Sequence, residues 1–139
     1  MTGHGPDPPE RPSWTGERRV TVDLDDCRPI DLIRSWQTLD QAGAHEIEAR
    51  VSASGEGCHV RAWFNSDDLD PAGVEVLRYQ AGDHPRRVRM DRDHHVKPGQ
   101  ILFSRKPGGQ AGPWHTDLWT AVDDLTGSSD RYGFGPWVS

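Results

Sequence analysis

The stretch RRVTVDLDDC, residues 18–27, decides the fold because its side chains alternate as those of a half-buried strand do. Its apolar members fall on every second position and would share one face of the strand: Val20, Val22 and Leu24. The opposite face would carry two carboxylates, those of Asp23 and Asp25, only two residues apart. The stretch therefore predicts a sheet with one face packed on helices and a second face that holds acidic side chains.

Further strands and helices alternate along the chain in the order β-α-β-β-α-β-β-α. Alternating apolar and polar residues predict strands at 18–25, 45–53, 58–64, 86–92 and 100–106. Apolar stripes at helical spacing predict helices within 29–43, 65–83 and 114–125. We therefore expect an α+β fold: an RRM-like or palm-like sandwich with a mostly antiparallel sheet, helices on one face and the other face open.

Length and composition bound the possible classes of protein. A chain of 139 residues is one domain's worth, and we expect a flexible leader at 1–17, a single core domain at 18–126 and a glycine- and aromatic-rich tail at 127–139. The net charge of −6 argues against a protein that coats nucleic acid generically. No apolar run reaches membrane-spanning length and no signal segment is evident, which predicts a soluble cytoplasmic protein.

Several residues of types that often carry chemistry lack the pattern for it here. Cys27 and Cys58 do not form a CxxC pair, so a zinc knuckle is not expected. A disulfide between them stays open, although two small apolar residues of the core or an edge are the favoured interpretation. His45, His84 and His115 have no evident partners, and we expect structural or solvated roles for them.

The expected open face brings polar side chains of several strands together. It would hold Asp23, Asp25, His59, Arg61, Trp63, Arg87, Arg89 and Asp91. Same-face residues lie roughly 6.6–7 Å apart along a strand and neighbouring strands roughly 4.8 Å apart, so Asp23, Asp25 and Asp91 could surround divalent cations. Mg²⁺ or Mn²⁺ prefers carboxylate oxygens together with water and substrate phosphate. These three aspartates are the predicted metal and catalytic residues, with Asp93 as a rival for the third position and plain solvated positions as the alternative.

The turn SGEGCH, residues 54–59, forms a second candidate group. Gly55 and Gly57 permit a tight bend and the close approach of a backbone to a phosphate. The side chains of Ser54 and His59 can donate hydrogen bonds to phosphate oxygens. A plain hairpin turn with a structural histidine is an equally good interpretation of this pattern.

Three stretches resemble, in order, the three motifs of the archaeo-eukaryotic primase superfamily, which includes primase small subunits and primase-polymerases. They are VTVDLD at 20–25, SGEGCH at 54–59 and VRMD at 88–91. The segment HHVKPGQILFSRKPGGQAG, 94–112, is similar to the basic strand that follows the last acidic residue in that family. The resemblance covers about residues 19–112, and the second motif is the most specific of the three.

The resemblance implies a nucleotidyltransferase of DNA replication, in which a 3′-hydroxyl attacks the α-phosphate of a nucleoside triphosphate with the help of two metal ions. Asp23, Asp25 and Asp91 would hold Mg²⁺ or Mn²⁺. The residues that would contact the triphosphate are Ser54, Gly55, Gly57 and His59. Basic residues that we add as phosphate or template contacts are Arg61, Lys97, Arg105 and Lys106.

A departure from the family pattern bears on the expected partners. Members of the family usually carry an additional αβ module before the first acidic strand, which helps to grip the template, whereas only a short leader precedes that strand here. We therefore expect a DNA template and an accessory subunit that supplies template grip as partners. A minimal catalytic core, a subunit that needs a partner and a non-catalytic relative all stay open.

Two other functions fit the same residues. The carboxylates could direct water at a phosphodiester, as in a metal-dependent nuclease. Alternatively, the domain could be a non-catalytic RRM-like module for nucleic-acid binding or assembly, with bases stacked on Trp63 and phosphates on Arg87 and Arg89. A requirement for Mg²⁺ or Mn²⁺ separates the two enzymes from the binding module.

Overall fold

The computed structural model describes residues 5–6, 17–94, 100, 102–106 and 109–125. The predicted tail at 127–139 lies outside the described residues, as does most of the predicted leader at 1–17. Within the described part of the chain, no helix is long and apolar enough to span a membrane.

Six strands and four helices occur among the described residues. The strands are β1 (Gly5–Pro6), β2 (Glu17–Leu24), β3 (Glu46–Val51), β4 (Cys58–Asn65), β5 (Phe103–Lys106) and β6 (Gly109–Gln110). The helices are α1 (Pro29–Gln41), α2 (Pro71–Gln80), α3 (Pro85–His94) and α4 (Leu118–Leu125). The predicted α+β class is thereby confirmed, whereas the RRM-like or palm-like arrangement stays a prediction.

A three-stranded antiparallel sheet in the order β2-β4-β3 carries the core. Strand β4 lies in the middle, with Val60 opposite both Val22 of β2 and Ala49 of β3. Because side chains alternate along each strand, one face of this sheet is apolar. The buried residues of that face include Val20, Val22, Leu24, Ile47, Ala49, Val60, Ala62 and Phe64. The helices contribute Leu32, Leu39, Val74, Leu77, Ala121 and Val122 to the same core.

Local signals account for the positions of α1 and α2. Pro29 occupies the first turn of α1, where a missing N–H is tolerated, and the Asp31 carboxylate favours the positive end of the helix. Gly43 follows α1 with a φ of 106°, a conformation that favours glycine. The Asp70 carboxylate caps α2 by accepting a hydrogen bond from the Gly73 N–H at 2.7 Å. Both predicted helices are confirmed.

The segment predicted as a fourth strand, 86–92, is helix α3 instead. A strand would have placed Val88 and Met90 on one face, yet Val88 is buried and Met90 is 52% exposed. Arg87 and Asp91 are four residues apart, which puts them on one side of a helix, and a proline at the first helical position suits a helix start. The pattern was too short to separate a period of 2 from one of 3.6.

The polar face of the central sheet is not open, contrary to expectation. Its buried members include Thr21, Arg50, His59 and Trp63. Trp114 covers part of this face, because the guanidinium carbons of Arg50 and Arg61 lie 4.4 and 3.7 Å from the centre of its ring. Asp23, close to the end of β2, keeps 35% of its side chain exposed. The polar face therefore keeps a partly exposed carboxylate at this end of the sheet.

The segments that flank the central sheet explain how its polar face is covered. Strand β5 confirms the fifth predicted strand, but it pairs with β1 and β6 in a second small sheet, so the described part of the predicted leader is a strand. The predicted helix at 114–125 begins at Leu118. Before it, His115 exchanges two backbone hydrogen bonds with Ala49 at the outer edge of β3. This pairing carries the neighbouring Trp114 onto the polar face.

Cys27 and Cys58 are both buried and are free thiols. A hydrogen bond to the Cys27 side chain, together with burial, raises the pKa of Cys58 well above its ordinary value. The favoured interpretation of two small core residues is confirmed.

Candidate functional site

Asp23 and His59 lie opposite each other on neighbouring strands, near the end of β2 and the start of β4. The Oδ1 atom of Asp23 is 3.9 Å from Nε2 of His59. The Asp23 side chain is partly exposed, whereas the His59 side chain is only 4% exposed. The pair therefore forms the inner wall of a site whose carboxylate can be reached from solvent.

Arg50 of β3 is the direct cross-strand partner of His59, on the side of β4 opposite to β2. The Nε–H of Arg50 donates to Nδ1 of His59 at 2.9 Å. Arg50 is itself buried, and its guanidinium stacks on Trp114. Sequence reasoning missed this residue, although the alternation of β3 already placed Arg50 on the polar face.

The glycine-containing turn, residues 52–57, packs directly on the end of β2. The Ser52 N–H closes the turn by donating to the Gly57 carbonyl at 2.9 Å. Gly55 has a φ of 79°, which favours glycine. A Cβ at Gly57 would overlap the carbonyl oxygen of Leu24. Glycine therefore lets the turn approach the acidic end of β2 as closely as it does.

Ser54 is exposed at the tip of this turn. Its hydroxyl oxygen accepts a hydrogen bond from the Glu56 N–H at 3.3 Å and lies 3.0 Å from the hydroxyl oxygen of Ser52. The predicted triphosphate contacts belong to one continuous turn and strand beside the acidic end of β2: Ser54, Gly55, Gly57 and His59.

Asp25 follows β2, and its side chain is 72% exposed. Its Oδ2 atom lies 3.7 Å from Nε2 of His84. Nδ1 of His84 accepts a hydrogen bond from the Arg86 N–H at 3.1 Å, so this imidazole sits at the start of α3. The expectation that His84 has no partner is therefore wrong.

The other two histidines that seemed to lack partners in the sequence also face carboxylates. Nε2 of His45 lies 3.3 Å from Oε2 of Glu17, and Nε2 of His115 lies 2.8 Å from Oδ2 of Asp124. His45 directly precedes β3, and His115 pairs with Ala49 at the outer edge of β3. Their contacts fit the structural roles that were expected.

Asp91 belongs to an ion-pair network on helices rather than to a strand beside Asp23. Its Oδ2 atom accepts from Nη1 of Arg78 at 2.9 Å and from the Gln100 N–H at 3.0 Å. The expectation that Asp91 shares a strand face with Asp23 and Asp25 is wrong because its segment is helical.

Asp83 is the centre of the same network, and its side chain is fully buried. Its Oδ2 atom accepts from Nε of Arg78 and from Nη1 of Arg87, each at 2.7 Å. Its Oδ1 atom accepts from the Asp23 N–H at 2.9 Å. Burial lowers the pKa of Arg87 from its ordinary value, and the Asp83 carboxylate opposes that shift. The network therefore anchors the backbone of Asp23 to α3.

Side chains close the edge of β2 that faces away from β4. The Thr21 N–H donates to Oε1 of Gln100 at 2.7 Å, and Nε2 of Gln100 donates to the Arg19 carbonyl at 3.0 Å. Nη1 of Arg87 donates to the Thr21 carbonyl at 3.3 Å. Since an open edge presents unpaired backbone groups, these bonds protect β2 and fix the strand that carries Asp23.

Two side chains of the expected open face make contacts within the protein. Nε of Arg61 donates to Oε1 of Glu48 at 2.8 Å, and its guanidinium stacks on Trp114. Trp63 is 5% exposed, and the guanidinium carbon of Arg61 lies 5.2 Å from the centre of its ring. Both side chains thus have partners within the protein, and their contacts with nucleic acid stay a prediction.

The basic strand β5 adjoins the glycine-containing turn. Lys106 pairs with Gly109 of β6, and a Cβ at Gly109 would overlap the carbonyl oxygen of Ala53. Arg105, also on β5, is exposed. Lys97 lies outside the described residues. The second sheet thus brings at least one exposed basic side chain to the neighbourhood of the turn.

A groove of about 340 Å³ adjoins Asp25, between the end of β2 and helices α1 and α2. Its charged lining comprises Asp25, Asp26, Asp31 and Arg34. Among the residues that the structure describes, no group of three or more His, Cys, Asp or Glu side chains is arranged to hold a metal ion. Asp93, the alternative to Asp91 as the third predicted metal ligand, lies on α3.

Comparison with known proteins gives no match for this chain. No protein-family model matches the chain, and no curated protein or solved structure matches it either. The function must therefore be inferred from the geometry and chemistry of the residues themselves.

Proposed function

We propose that the chain is a primase-like nucleotidyltransferase core that adds nucleotides to a nucleic-acid 3′-hydroxyl. The observation that carries this proposal is the cross-strand pairing of Asp23 with His59, with the glycine-containing turn packed on the same strand end. The two most informative motifs of the sequence are thereby neighbours in space. The same motifs, in the same order, prompted the resemblance to the primase superfamily.

Asp23 and Asp25 are suited to hold Mg²⁺ or Mn²⁺. Both carboxylates can be reached from solvent, and each faces an imidazole, at 3.9 Å for Asp23 and at 3.7 Å for Asp25. Mg²⁺ commonly takes one or two carboxylates from the protein, with substrate phosphates and water completing its shell. When bound, such cations would neutralise the triphosphate and stabilise charge on the attacking and leaving oxygens.

The turn and His59 supply hydrogen-bond donors beside this acidic pair. Ser54 is exposed at the turn, and the His59 imidazole lies at the inner wall. We assign to both groups a contact with the phosphate chain of a triphosphate held near Asp23. The exposed Arg105 on β5 is a suitable contact for the template or for a terminal phosphate, and a DNA template and an accessory subunit are the partners that this function needs.

Asp91 is given no metal in this proposal. Its Oδ2 atom already accepts from Arg78 and Gln100, so its role is to stabilise α3 and the strand edge next to Asp23. The binding-module alternative is less well supported, because Arg87 is bonded to Asp83 and Thr21.

The test is nucleotide binding and incorporation with Mn²⁺ present. We expect calorimetry to detect triphosphate binding that requires Mn²⁺, and we expect a labelled nucleotide to be added to a primed DNA template. Asp23→Asn should abolish both signals, while the matched change Asp40→Asn, at an exposed position of α1, should leave both intact.

Three outcomes would redirect the assignment. Shortened DNA in place of extended primer would favour the nuclease. DNA binding that persists without divalent cation in Asp23→Asn would favour the binding module. Equal incorporation by the wild type and Asp23→Asn would remove Asp23 from the site.

A further inference from the structure

Arg50 is a buried cation next to the proposed nucleotide site. It is 4% exposed, and it lies between the Trp114 ring and the imidazole of His59. Burying a guanidinium is unfavourable unless its N–H groups find acceptors. One of those acceptors is a ring nitrogen rather than a carboxylate, and this choice has a chemical consequence for His59.

The hydrogen bond from Arg50 fixes the protonation state of His59. A guanidinium group has donors and no acceptor, so in this 2.9 Å contact Nδ1 of His59 must be the acceptor. An Nδ1 that accepts carries no proton, and a neutral imidazole then carries its single proton on Nε2. His59 is therefore an Nε2–H donor.

The Nε2 atom faces the side of the site where Asp23 lies. Its distance of 3.9 Å to Oδ1 of Asp23 is too long for a hydrogen bond, so the carboxylate and the N–H group stand side by side. A protonated Nε2 has no lone pair for a metal ion. A ligand that meets His59 at this point must present an acceptor, and phosphate oxygens are strong acceptors of this kind.

We propose that Arg50 is a positioning residue that fixes His59 as an Nε2–H donor to a phosphate oxygen of the bound triphosphate. This role rests on the proposed function, because it deepens the same site. In this arrangement the carboxylates bind the cation, and His59 donates a hydrogen bond to the phosphate. Arg50 itself touches neither ligand.

The first test determines which nitrogen of His59 carries the proton in the wild-type full chain without any ligand. Long-range proton–nitrogen NMR correlations distinguish the two neutral tautomers and the imidazolium, and His59→Gln identifies the signal among the seven histidines. We expect the Nε2–H tautomer at neutral pH. A proton on Nδ1, in either the other tautomer or the imidazolium, would overturn the inference whether or not the protein binds nucleotide.

The second test removes the donor while keeping an apolar stem of similar length, with Arg50→Met. We expect mixed His59 tautomers and a Kd for the Mn²⁺–triphosphate complex that is raised roughly tenfold, the effect of one hydrogen bond to a charged group. The Kd for Mn²⁺ alone should not change. The control is Arg92→Met, at an exposed helical arginine, which should alter none of these values.

Arg50→Lys separates a positioning role from simple packing. Lysine retains an N–H donor but not the planar group that stacks on Trp114, so it should restore the Nε2–H tautomer and part of the affinity. If Arg50→Met does not fold, the wild-type tautomer and the lysine variant still decide the matter.

The outcomes distinguish this inference from the proposed function. A wild type that binds no triphosphate but shows the Nε2–H tautomer contradicts the proposed function and the phosphate role with it, while leaving the Arg50–His59 contact established. A wild type that binds triphosphate, together with a folded Arg50→Met variant of unchanged Kd, contradicts the positioning role alone.

Discussion

Two pairs of aspartates near the end of β2 differ in their exposure and in the side chains that they face. Asp23 and Asp25 are at least partly exposed, and each faces an imidazole at 3.7–3.9 Å. Asp83 is fully buried and Asp91 is mostly buried, and both are bonded to the guanidinium of Arg78 at 2.7–2.9 Å. A guanidinium is permanently charged, so the second pair is neutralised within the fold. The first pair is nearer to solvent, and it is the pair that we propose takes up a cation.

The difference shows that an aspartate's function depends on its neighbours as well as on its motif. The bond from the Asp23 N–H to Asp83 joins the two pairs, so the neutralised pair holds the backbone of the exposed one. Asp83 and Asp91 therefore contribute to stability, whereas Asp23 and Asp25 are the carboxylates that we propose bind the ligand. Substitutions at the two pairs should separate these properties.

Asp83→Asn should have the largest effect on stability. It leaves the buried guanidinium groups of Arg78 and Arg87 without their shared carboxylate, and breaking a buried pair in this way costs about 3–5 kcal/mol. Denaturant unfolding of this variant and of Asp40→Asn, the exposed control, would measure the loss. A change in the free energy of unfolding no larger than that of the control would contradict the stabilising role of Asp83.

Asp91→Asn should have an intermediate effect on stability and none on the metal site. The amide oxygen can still accept from Gln100, but the charged partner of Arg78 is lost, so we expect a cost of about 1 kcal/mol. The Kd for Mn²⁺ should stay at the wild-type value. A folded variant that no longer binds Mn²⁺ would restore Asp91 to the metal-ligand role that the sequence suggested.

The exposed pair was predictable because its signals are local. Alternation around Val22 identifies β2, and the spacing of Gly55 and Gly57 before His59 identifies a turn that leads into a strand. The pairing of β2 with β4, which the structure supplies, then places the two motifs side by side.

The buried pair and the covered face were not predictable for a different reason. Five residues of alternating character, 87–91, fit both a strand and a helix. Pro85 at the first helical position and the pairing of Asp83 with Arg87 four residues later are consistent with the helix that forms. Nothing local indicates that Trp114 covers the polar face or that Gln100 closes the edge of β2, because both come from segments distant along the chain. Long-range packing decides such features.

Asp25→Asn should leave stability almost unchanged and weaken metal binding. The side chain is 72% exposed, and surface substitutions of this kind usually alter the free energy of unfolding by less than about 0.5 kcal/mol. The Kd for Mn²⁺ should rise by at least about tenfold, since even residues that only support a metal ligand cost this much when changed. Calorimetric titration with Mn²⁺ measures the effect, and an unchanged Kd would exclude Asp25 from the site.

Asp117 extends the comparison to a carboxylate with a third kind of neighbour and the smallest expected effect. Its Oδ2 atom accepts from the backbone N–H of Thr120 at 3.0 Å and from the hydroxyl at 2.9 Å, and these bonds lower the pKa of Asp117 from its ordinary value of 3.8. Because the pKa is lowered in the folded state, this contribution to stability is fully present above the ordinary pKa and is lost as the pH falls through the lowered value. Asparagine also caps helices well, so Asp117→Asn should match the wild type closely at neutral pH. On acidification the melting temperature of the wild type should therefore fall further than that of Asp117→Asn, and a wild-type advantage that grows in acid would show that the charge of Asp117 does not stabilise α4.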